Sequence, residues 1–249
     1  MGSLDGKIAV ITGAGKNIGR EIALTLARDG AAVVVNGRGD QAAVDAVAQE
    51  IRALGGRAFG HLADVSDETA VTAMVERTVG AFGGIDIVVS NAGLRRQTPF
   101  LEMGLVEWRE ILSVALDGAF ILARACVPHM IGRQGGAIVG LSGVSTHVGT
   151  PERCHVSASK AGLEGLMRAL AVELGPHGIT ANSIAPGAID TVRGAAAGQM
   201  PSSMRAAGVP AGRKGRVEEI AAMVRHLVGP HGRFITGQTI HVNGGAFLT

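Results

Sequence analysis

The chain has 249 residues, of which 47% are hydrophobic and 18% are charged, and its net charge is +2. This composition is typical of a globular protein, and the charge is too small for the basic stripe of a nucleic-acid-binding protein. We find no signal peptide and no apolar stretch of membrane-spanning length, and the two cysteines, Cys126 and Cys154, lack the spacing of a disulfide framework or a metal site. We therefore expect a soluble cytoplasmic protein that binds neither nucleic acid nor membranes.

Short β-branched runs alternate with helix-length segments along the whole chain. The predicted strands are Ile8–Ile11, Ala32–Val35, Ala58–His61, Ile85–Val89, Ala137–Gly140, Thr180–Ile184 and Thr239–Val242. The predicted helices are Arg20–Asp29, Gln41–Leu54, Asp67–Phe82, Leu105–Ile131, Val156–Leu174 and Val217–Leu227. Because the strands are apolar throughout, both faces of the sheet must be covered. The pattern predicts one α/β domain over residues 1–249, a Rossmann-type doubly wound parallel sheet of about seven strands with helices on both faces.

A glycine-rich turn links the first predicted strand to a helix. It reads Thr12-Gly13-Ala14-Gly15-Lys16-Asn17-Ile18-Gly19. Glycines let the backbone approach a pyrophosphate, and the N-terminus of a helix presents N–H groups and a partial positive charge to it. This turn therefore predicts a dinucleotide site.

The turn resembles the T-G-x-x-x-G-x-G turn of the short-chain dehydrogenase/reductase family, with Asn17 where the middle glycine is usual. Asparagine tolerates a positive φ better than other non-glycine residues. The resemblance covers nearly the whole chain and extends to the 3-oxoacyl-ACP reductase-like members. It implies that the cofactor is bound by Gly13, Gly15, Lys16, Asn17, Ile18, Gly19, Arg38, Asp64, Val65, Asn91, Ala92, Gly93, Lys160, Pro186, Gly187, Ile189 and Thr191.

The end of the second strand indicates which nicotinamide cofactor is preferred. An acidic residue there accepts hydrogen bonds from the ribose 2′-OH of NAD, whereas arginine accommodates the 2′-phosphate of NADP. This chain has Gly37 at the acidic position, followed by Arg38, and Lys16 supplies a second cation. The residues favour NADP(H), while the nearby Asp40 leaves NAD(H) as the alternative.

The resemblance also implies where catalysis takes place. The family uses an asparagine, a serine, a tyrosine and a lysine, and these positions hold Ala115, Gly143, Val156 and Lys160 in a chain with no tyrosine. Valine has no proton to give, so the usual acid is missing on this alignment. General acid catalysis and oxyanion stabilisation are each worth about two to four orders of magnitude.

Three side chains near these positions are candidates for a replacement. Ser142 adjoins the vacant serine position, His155 adjoins Val156, and His147 lies between them in sequence. We predict that His155 or His147 acts as the acid together with Ser142, because imidazole titrates near neutrality. An exposed or capping role for either histidine is the alternative.

The segment 188–216 interrupts the alternation, since it is rich in Ala, Gly, Pro and Met and weakly periodic. We predict that it is a lid on the substrate side, with an inert surface excursion as the alternative. Its basic residues include Arg193, Arg205, Arg213, Lys214 and Arg216, and Arg95 and Arg96 follow the fourth strand. These cations suit an anionic small-molecule substrate, although solvated, cofactor-steering or subunit-contact roles fit equally well.

Three functions remain open at this stage. The leading hypothesis is an NADP(H)-dependent oxidoreductase that acts on a carbonyl/alcohol pair with a non-standard proton donor. A catalytically silent dinucleotide-binding protein, serving as a sensor or partner subunit, is the first alternative, and a non-redox enzyme of the same fold is the second. The resemblance implies a homo-oligomer, a tetramer formed through the helices predicted at Leu105–Ile131 and Val156–Leu174.

Overall fold

The computed structural model describes residues 2–192 and 209–248. Within these ranges the strands are β1 (Ile8–Ile11), β2 (Ala32–Gly37), β3 (Ala58–Leu62), β4 (Ile87–Ser90), β5 (Gly136–Leu141), β6 (Ile179–Pro186) and β7 (Thr239–Val242). The α-helices are α1 (Asn17–Arg28), α2 (Gln41–Ala53), α3 (Glu68–Phe82), α4 (Leu105–Leu112), α5 (Gly118–Gly132), α6 (Ser145–Val148), α7 (Cys154–Leu174) and α8 (Val217–Val228). All of these strands pair in parallel in one sheet, in the order β3-β2-β1-β4-β5-β6-β7.

Helices cover both faces of the sheet. Alternate residues of one strand enter different cores: Val33 and Val35 of β2 pack with α1, α2 and α8, whereas Val34 packs on the opposite face with α3, α5 and α7. This two-sided burial is the reason for strands without polar alternation. The predicted doubly wound sheet with helices on both faces is confirmed.

The strand order reverses at β1, which fixes the place of a binding crevice. β1 pairs with β2 on one side and with β4 on the other, and Ile11 is in register with both Val35 and Val89. The loops that follow β1 and β4 therefore leave the same edge of the sheet in different directions. In open parallel sheets, ligands bind at the carboxyl ends of the strands at this point.

The helix boundaries differ from the prediction in two instructive places. α1 begins at Asn17 instead of Arg20, so that it starts inside the glycine-rich turn. The predicted helix Leu105–Ile131 is continuous in space but contains a π-helical turn at Ser113–Asp117, a departure that periodicity alone does not reveal.

Among the described residues, one helical stretch is long and apolar enough to cross a membrane by length and composition alone, although the sequence analysis found no apolar stretch of that length. The helical stretch Leu105–Gly132 is 28 residues long with a mean hydropathy of 1.7 in its most apolar window, of which 44% is buried inside the protein. Leu122, Cys126 and Met130 on its inner face are completely buried in the core shared with α3 and α7. Packing against the sheet accounts for this apolar composition.

Candidate active site

The glycine-rich turn after β1 leaves an open cradle at the start of α1. Gly13 has a φ of +61°, and a Cβ atom at Gly19 would lie 2.3 Å from the Gly13 carbonyl oxygen. Lys16 occupies the N-cap position without a side-chain capping hydrogen bond. An anionic group in the cradle would therefore meet uncapped N–H donors at the positive end of the helix.

Asn91, in the loop after β4, fixes the cradle from the other side of the crevice. Its Nδ2 atom donates hydrogen bonds to the carbonyl oxygens of Thr12 (2.9 Å) and Gly13 (3.0 Å). In return, the Thr12 Oγ1 atom accepts hydrogen bonds from the backbone N–H groups of Asn91 (3.0 Å) and Ala92 (3.1 Å). The two loops at the strand-order reversal are thus tied to each other.

Asn17 adopts the left-handed conformation that its place in the turn requires, with a φ of +52°. Its Nδ2 atom donates to the Val192 carbonyl oxygen at 2.9 Å, and the Val192 N–H donates to Asn17 Oδ1 at 3.0 Å. We call these two bonds the Asn17–Val192 clamp. The clamp joins the glycine-rich turn to the segment that follows β6.

A cavity at the ends of β2 and β3 forms one end of the crevice, and we call it the outer cavity. Residues that line it include Gly13, Asn36, Arg38, Asp64, Val65, Ala92, Gly93 and Leu94. The Arg38 Nη1 atom lies 3.9 Å from Asp64 Oδ2. Burial raises the pKa of Asp64, but hydrogen bonds from Ser66 and the charge of Arg38 outweigh it, so the pKa lies below its usual value.

Asp40 is not among the described residues that line the outer cavity. Its Oδ1 atom accepts a hydrogen bond of 2.9 Å from the Ala43 N–H and thereby caps α2. The guanidinium of Arg38, 59% exposed at its side chain, is the cation among the described residues that line the cavity, and it lies beside Asp64. This arrangement fits a 2′-phosphate better than a free ribose hydroxyl.

A second cavity, which we call the central cavity, lies between the loop after β4, the end of β5, α7 and the segment after β6. The predicted residues that line it are Ile18, Asn91, Gly93, Ser142, Gly143, Val156, Lys160, Pro186, Gly187, Ile189 and Thr191. Gly93 and Leu94 line both cavities, so that the crevice runs on from one to the other. An elongated ligand such as a dinucleotide fits this arrangement, with its anionic middle at the cradle.

Val156, Lys160 and Gly143 meet in the central cavity, with Val156 only 7% exposed. Residues four apart on a helix share one face, which puts Val156 and Lys160 of α7 side by side. A Cβ atom at Gly143 would have Ser145 Oγ, at 3.6 Å, as its nearest neighbour, so there is space for a side chain there. The cavity wall at Val156 and Gly143 offers no side-chain hydrogen bond.

Lys160 is the ionisable group beside Val156. Its Nζ atom donates a hydrogen bond of 2.5 Å to the Leu141 carbonyl oxygen at the end of β5. Burial, followed by the positive charge of Arg95, lowers the pKa of Lys160 to about 8. An amine with this pKa exchanges its proton readily near neutral pH.

Ser142 lines the central cavity, but its hydroxyl group donates to the buried carboxylate of Glu164. The same carboxylate oxygen accepts hydrogen bonds from Thr146 Oγ1 at 3.3 Å and from His147 Nε2 at 3.1 Å. His147 also stacks on Phe247, with ring centroids 5.0 Å apart. The structure thus places His147 behind the cavity wall, linked to Ser142 through Glu164.

His155 is completely buried on the other side of α7, and its Nε2 atom lies 3.3 Å from Glu107 Oε1. Neither His155 nor His147 is among the residues that line the central cavity. The structure therefore does not bring the two predicted acid candidates to the place where a substrate would react.

Three of the basic residues named in and near the predicted lid are paired with acids. Arg213 pairs with Glu219 at 2.5 Å, and Lys214 pairs with Asp190 at 3.2 Å. Arg96 makes a bidentate contact with Glu110, with distances of 2.6 and 2.9 Å. Arg193 and Arg205 lie outside the described residues, as does the middle of the predicted lid. Within the described part, Ala188, Ile189 and Thr191 line the central cavity.

Two charged residues of the site were not identified from the sequence. Arg153, only 4% exposed, lines the central cavity, and the buried Glu164 supports Ser142. Helical spacing carries a signal for both, because Arg153 precedes Lys160 by seven residues and Glu164 follows it by four.

Comparisons with known proteins agree with this geometry. Residues 13–246 match the family model described as Enoyl-(Acyl carrier protein) reductase. The chain is 38% identical over 242 residues to a 3-oxoacyl-[acyl-carrier-protein] reductase of Staphylococcus aureus, covering 97% of this chain and 98% of the relative. A 3-oxoacyl-[acyl-carrier-protein] reductase of Aquifex aeolicus is 37% identical over 245 residues, 98% of each chain.

Solved structures of similar proteins also match this chain over nearly its whole length. A short chain dehydrogenase from Burkholderia cenocepacia in complex with NADP has a TM-score of 0.89 and 35% identity, with 98% of this chain and 99% of that chain covered. A blue fluorescent protein from a metagenomic library in complex with NADPH has a TM-score of 0.92 and 33% identity over 99% of this chain and 100% of its own. From the sheet order, the glycine-rich cradle and these full-length similarities, we conclude that the chain belongs to the short-chain dehydrogenase/reductase family.

Proposed function

We propose that this protein is an NADP(H)-dependent oxidoreductase that interconverts a ketone or aldehyde and its alcohol, with Lys160 as the group that gives or takes the proton. The observation that carries the proposal is the position of Lys160. Among the described residues that line the central cavity, its amine is the group able to titrate near neutral pH, because Arg95 and Arg153 stay charged.

The choice of cofactor rests on the outer cavity. Arg38 stands at its rim, whereas Asp40 is engaged in capping α2 and does not offer a carboxylate to a ribose. Gly13 and Gly19 leave the space for a pyrophosphate, and Lys160 and Thr191 line the end where the nicotinamide would lie. Relatives with solved structures in complex with NADP and NADPH support the same choice.

When bound, NADPH supplies the hydride that reduces the carbonyl carbon. Lys160 gives its proton to the carbonyl oxygen, and solvent returns a proton to the amine after the alcohol leaves. The Leu141 carbonyl oxygen orients the amine by accepting one of its hydrogen bonds. Ser142, which lines the central cavity, is held by its hydrogen bond to Glu164, and the same carboxylate also contacts His147.

The pH dependence follows from the lowered pKa of Lys160. Reduction needs the protonated amine, so its rate should be constant below about pH 8 and fall tenfold per pH unit above it. Oxidation of the alcohol needs the neutral amine, so its rate should rise up to about pH 8 and then level off.

Two variants test the assignment by steady-state kinetics with a panel of ketones and aldehydes. Lys160→Met and Lys160→Arg should each lower kcat by about 10²-fold or more, and the break near pH 8 should vanish in Lys160→Arg because arginine does not titrate there. NADPH fluorescence titration separates a loss of binding from a loss of chemistry. Unchanged kcat in Lys160→Arg would overturn the assignment of the proton donor.

One observation favours the silent dinucleotide-binding protein as a second candidate. Ala115, Gly143 and Val156 bring no hydrogen-bonding side chain to the places where the family has three. NADPH binding to the unmodified protein without oxidation by any carbonyl compound in the panel would support this function. Oxidation above the rate in buffer would exclude it.

A further inference from the structure

The amine of Lys160 has few partners for a charged group. Within the described part of the chain, its Nζ atom makes one hydrogen bond, to the Leu141 carbonyl oxygen, and no carboxylate lines the central cavity beside it. An ammonium group has three N–H donors, so a partly buried one with a single protein acceptor is poorly satisfied. These surroundings favour the neutral amine more than those of an ordinary lysine do.

Much of the cavity wall around this amine is apolar. Its aliphatic residues include Ile18, Leu94, Leu141, Val156, Pro186 and Ile189. Among the described residues, the charged side chains that line the cavity beside Lys160 are those of Arg95 and Arg153, which are both cations. Burial, followed by the positive charge of Arg95, lowers the pKa of Lys160 to about 8. At pH 7 about one such amine in ten is uncharged, compared with about one in 2,500 for an ordinary lysine.

The hydrogen bond to Leu141 also sets the direction of the amine lone pair. The carbonyl oxygen accepts an N–H of Lys160 at 2.5 Å, and a lone pair cannot face an acceptor at this distance. A Cβ atom at Gly93 would lie 3.4 Å from Nζ, so the glycine leaves that side of the amine open. The lone pair of the neutral amine can therefore approach a molecule in the cavity.

We propose that Lys160 is a nucleophile, and that small aldehydes and ketones in the central cavity condense with its amine to form an iminium ion. The nitrogen attacks the carbonyl carbon and a C–N bond forms. The carbonyl oxygen takes one proton from the amine and one from solvent, and it leaves as water while the C=N bond forms. Lysines in apolar surroundings or next to another cation are activated in this way. The reaction needs no hydride, so it does not rest on the proposed function.

The size of the cavity limits the carbonyl compound. Its volume is about 120 Å³, whereas a cavity of about 150 Å³ holds benzene. Propanal and butanone are smaller than benzene and fit this space. Attack requires the neutral amine, whereas the proposed reduction requires the protonated one, so the two reactions have opposite pH dependences.

The test traps the iminium ion with sodium cyanoborohydride, which reduces it to a stable secondary amine. The unmodified protein and Lys160→Arg are incubated with propanal or butanone in the absence of NADPH, and peptide mass spectrometry locates each alkylated lysine. Lys7, Lys16 and Lys214 are internal controls, because Lys7 and Lys214 stand in ion pairs and Lys16 is exposed. We expect Lys160 to react at least about tenfold faster than any of them at pH 7. Its rate should rise tenfold per pH unit up to about pH 8 and then level off.

A matched pair of variants at Val156 tests the cause of the reactivity. Val156→Asp places a carboxylate one helical turn from the amine and stabilises the ammonium form, so the rate of Lys160 at pH 7 should fall by about tenfold or more. Val156→Asn has nearly the same shape without the charge and should change the rate by less than about threefold. If Val156→Asp does not fold, the pH profile of the unmodified protein decides alone.

The outcomes separate this inference from the proposed function. A Lys160 that reacts no faster than Lys16, a rate with no change of slope near pH 8, or equal rates in the two Val156 variants would each overturn the inference. Carbonyl reduction by NADPH in a protein whose Lys160 is never trapped would contradict the nucleophile and leave the proposed function standing. Trapping of Lys160 in a protein that never oxidises NADPH would support the nucleophile and contradict the proposed function.

Discussion

An isopropyl group at position 156 faces the central cavity, one helical turn from the Lys160 amine. Gly143 stands opposite with room for a side chain, since Ser145 Oγ, at 3.6 Å, would be the nearest atom to its Cβ. Neither position therefore carries a side chain that can donate a proton or a hydrogen bond. In the proposed reaction the proton therefore comes from a neighbouring residue.

Restoring a phenol and a hydroxyl at these two positions should strengthen catalysis. Val156→Tyr with Gly143→Ser places an acid and a second hydrogen-bond donor beside the lysine, and we expect kcat/KM for reduction to rise by about 10²-fold or more. Steady-state assays with the carbonyl panel measure the change. Adding Lys160→Met to the double variant is the control and should remove most of the gain. A double variant that binds NADPH without any gain would contradict the view that the rest of the cavity is ready for this chemistry.

At the scale of elements, the Asn17–Val192 clamp connects the beginning of α1 with the segment after β6. Its neighbours Ile18 and Thr191 both line the central cavity, so the clamp lies at one edge of the proposed cofactor site. The asparagine side chain thus makes two hydrogen bonds that the glycine usual at this position in the family cannot make.

Removing the clamp should speed the release of NADPH. Asn17→Gly keeps the positive φ accessible and deletes two hydrogen bonds of about 1 kcal/mol each, so the dissociation rate should rise by about 30-fold. Stopped-flow displacement of NADPH measures this rate. Asn17→Ala, which loses the same bonds but keeps a strained φ, should release NADPH equally fast and unfold at lower urea concentration than Asn17→Gly. An unchanged dissociation rate in both variants would contradict this role of the clamp.

At the scale of the whole molecule, the outer surfaces of α5 and α7 carry exposed apolar side chains. Phe120 of α5 is 51% exposed and Val172 of α7 is 82% exposed. Fully burying an aliphatic or aromatic side chain is worth about 1.5–3 kcal/mol, which favours covering both helices with another copy of the chain. We propose that these helices form the interface of a homo-oligomer.

A charge at Val172 tests this interface. Val172→Asp would bury a carboxylate in each copy, and we expect the association constant to fall by about 10²-fold or more, as measured by sedimentation velocity. Leu54→Asp, at the C-cap of α2 where Leu54 is 62% exposed, is the control and should leave the oligomer intact. A monomeric unmodified protein, or an oligomer unaffected by Val172→Asp, would contradict the proposal.

The strands of the sheet could be predicted from the sequence because each one is a short run of apolar, mostly β-branched residues. β1 and β7 have the predicted boundaries, β2 and β3 extend one or two residues further at the carboxyl end, and β4, β5 and β6 differ by one or two residues at both ends. The placement of Gly13, Asn91 and Lys160 around one crevice also follows from the strand order. What could not be predicted depends on contacts between distant residues, such as the link from Ser142 through Glu164 to His147, or the pairing of His155 with Glu107.

Trp108 lies on α4, which packs against α7, and it is the single tryptophan of a chain without tyrosine. Ultraviolet emission from the folded protein therefore comes from one indole, beside the helix that carries Lys160. Reduced nicotinamide absorbs in the range where indole emits, so energy transfer from this one donor would report cofactor binding. The protein thus contains its own optical probe, and no label has to be attached to follow the cofactor.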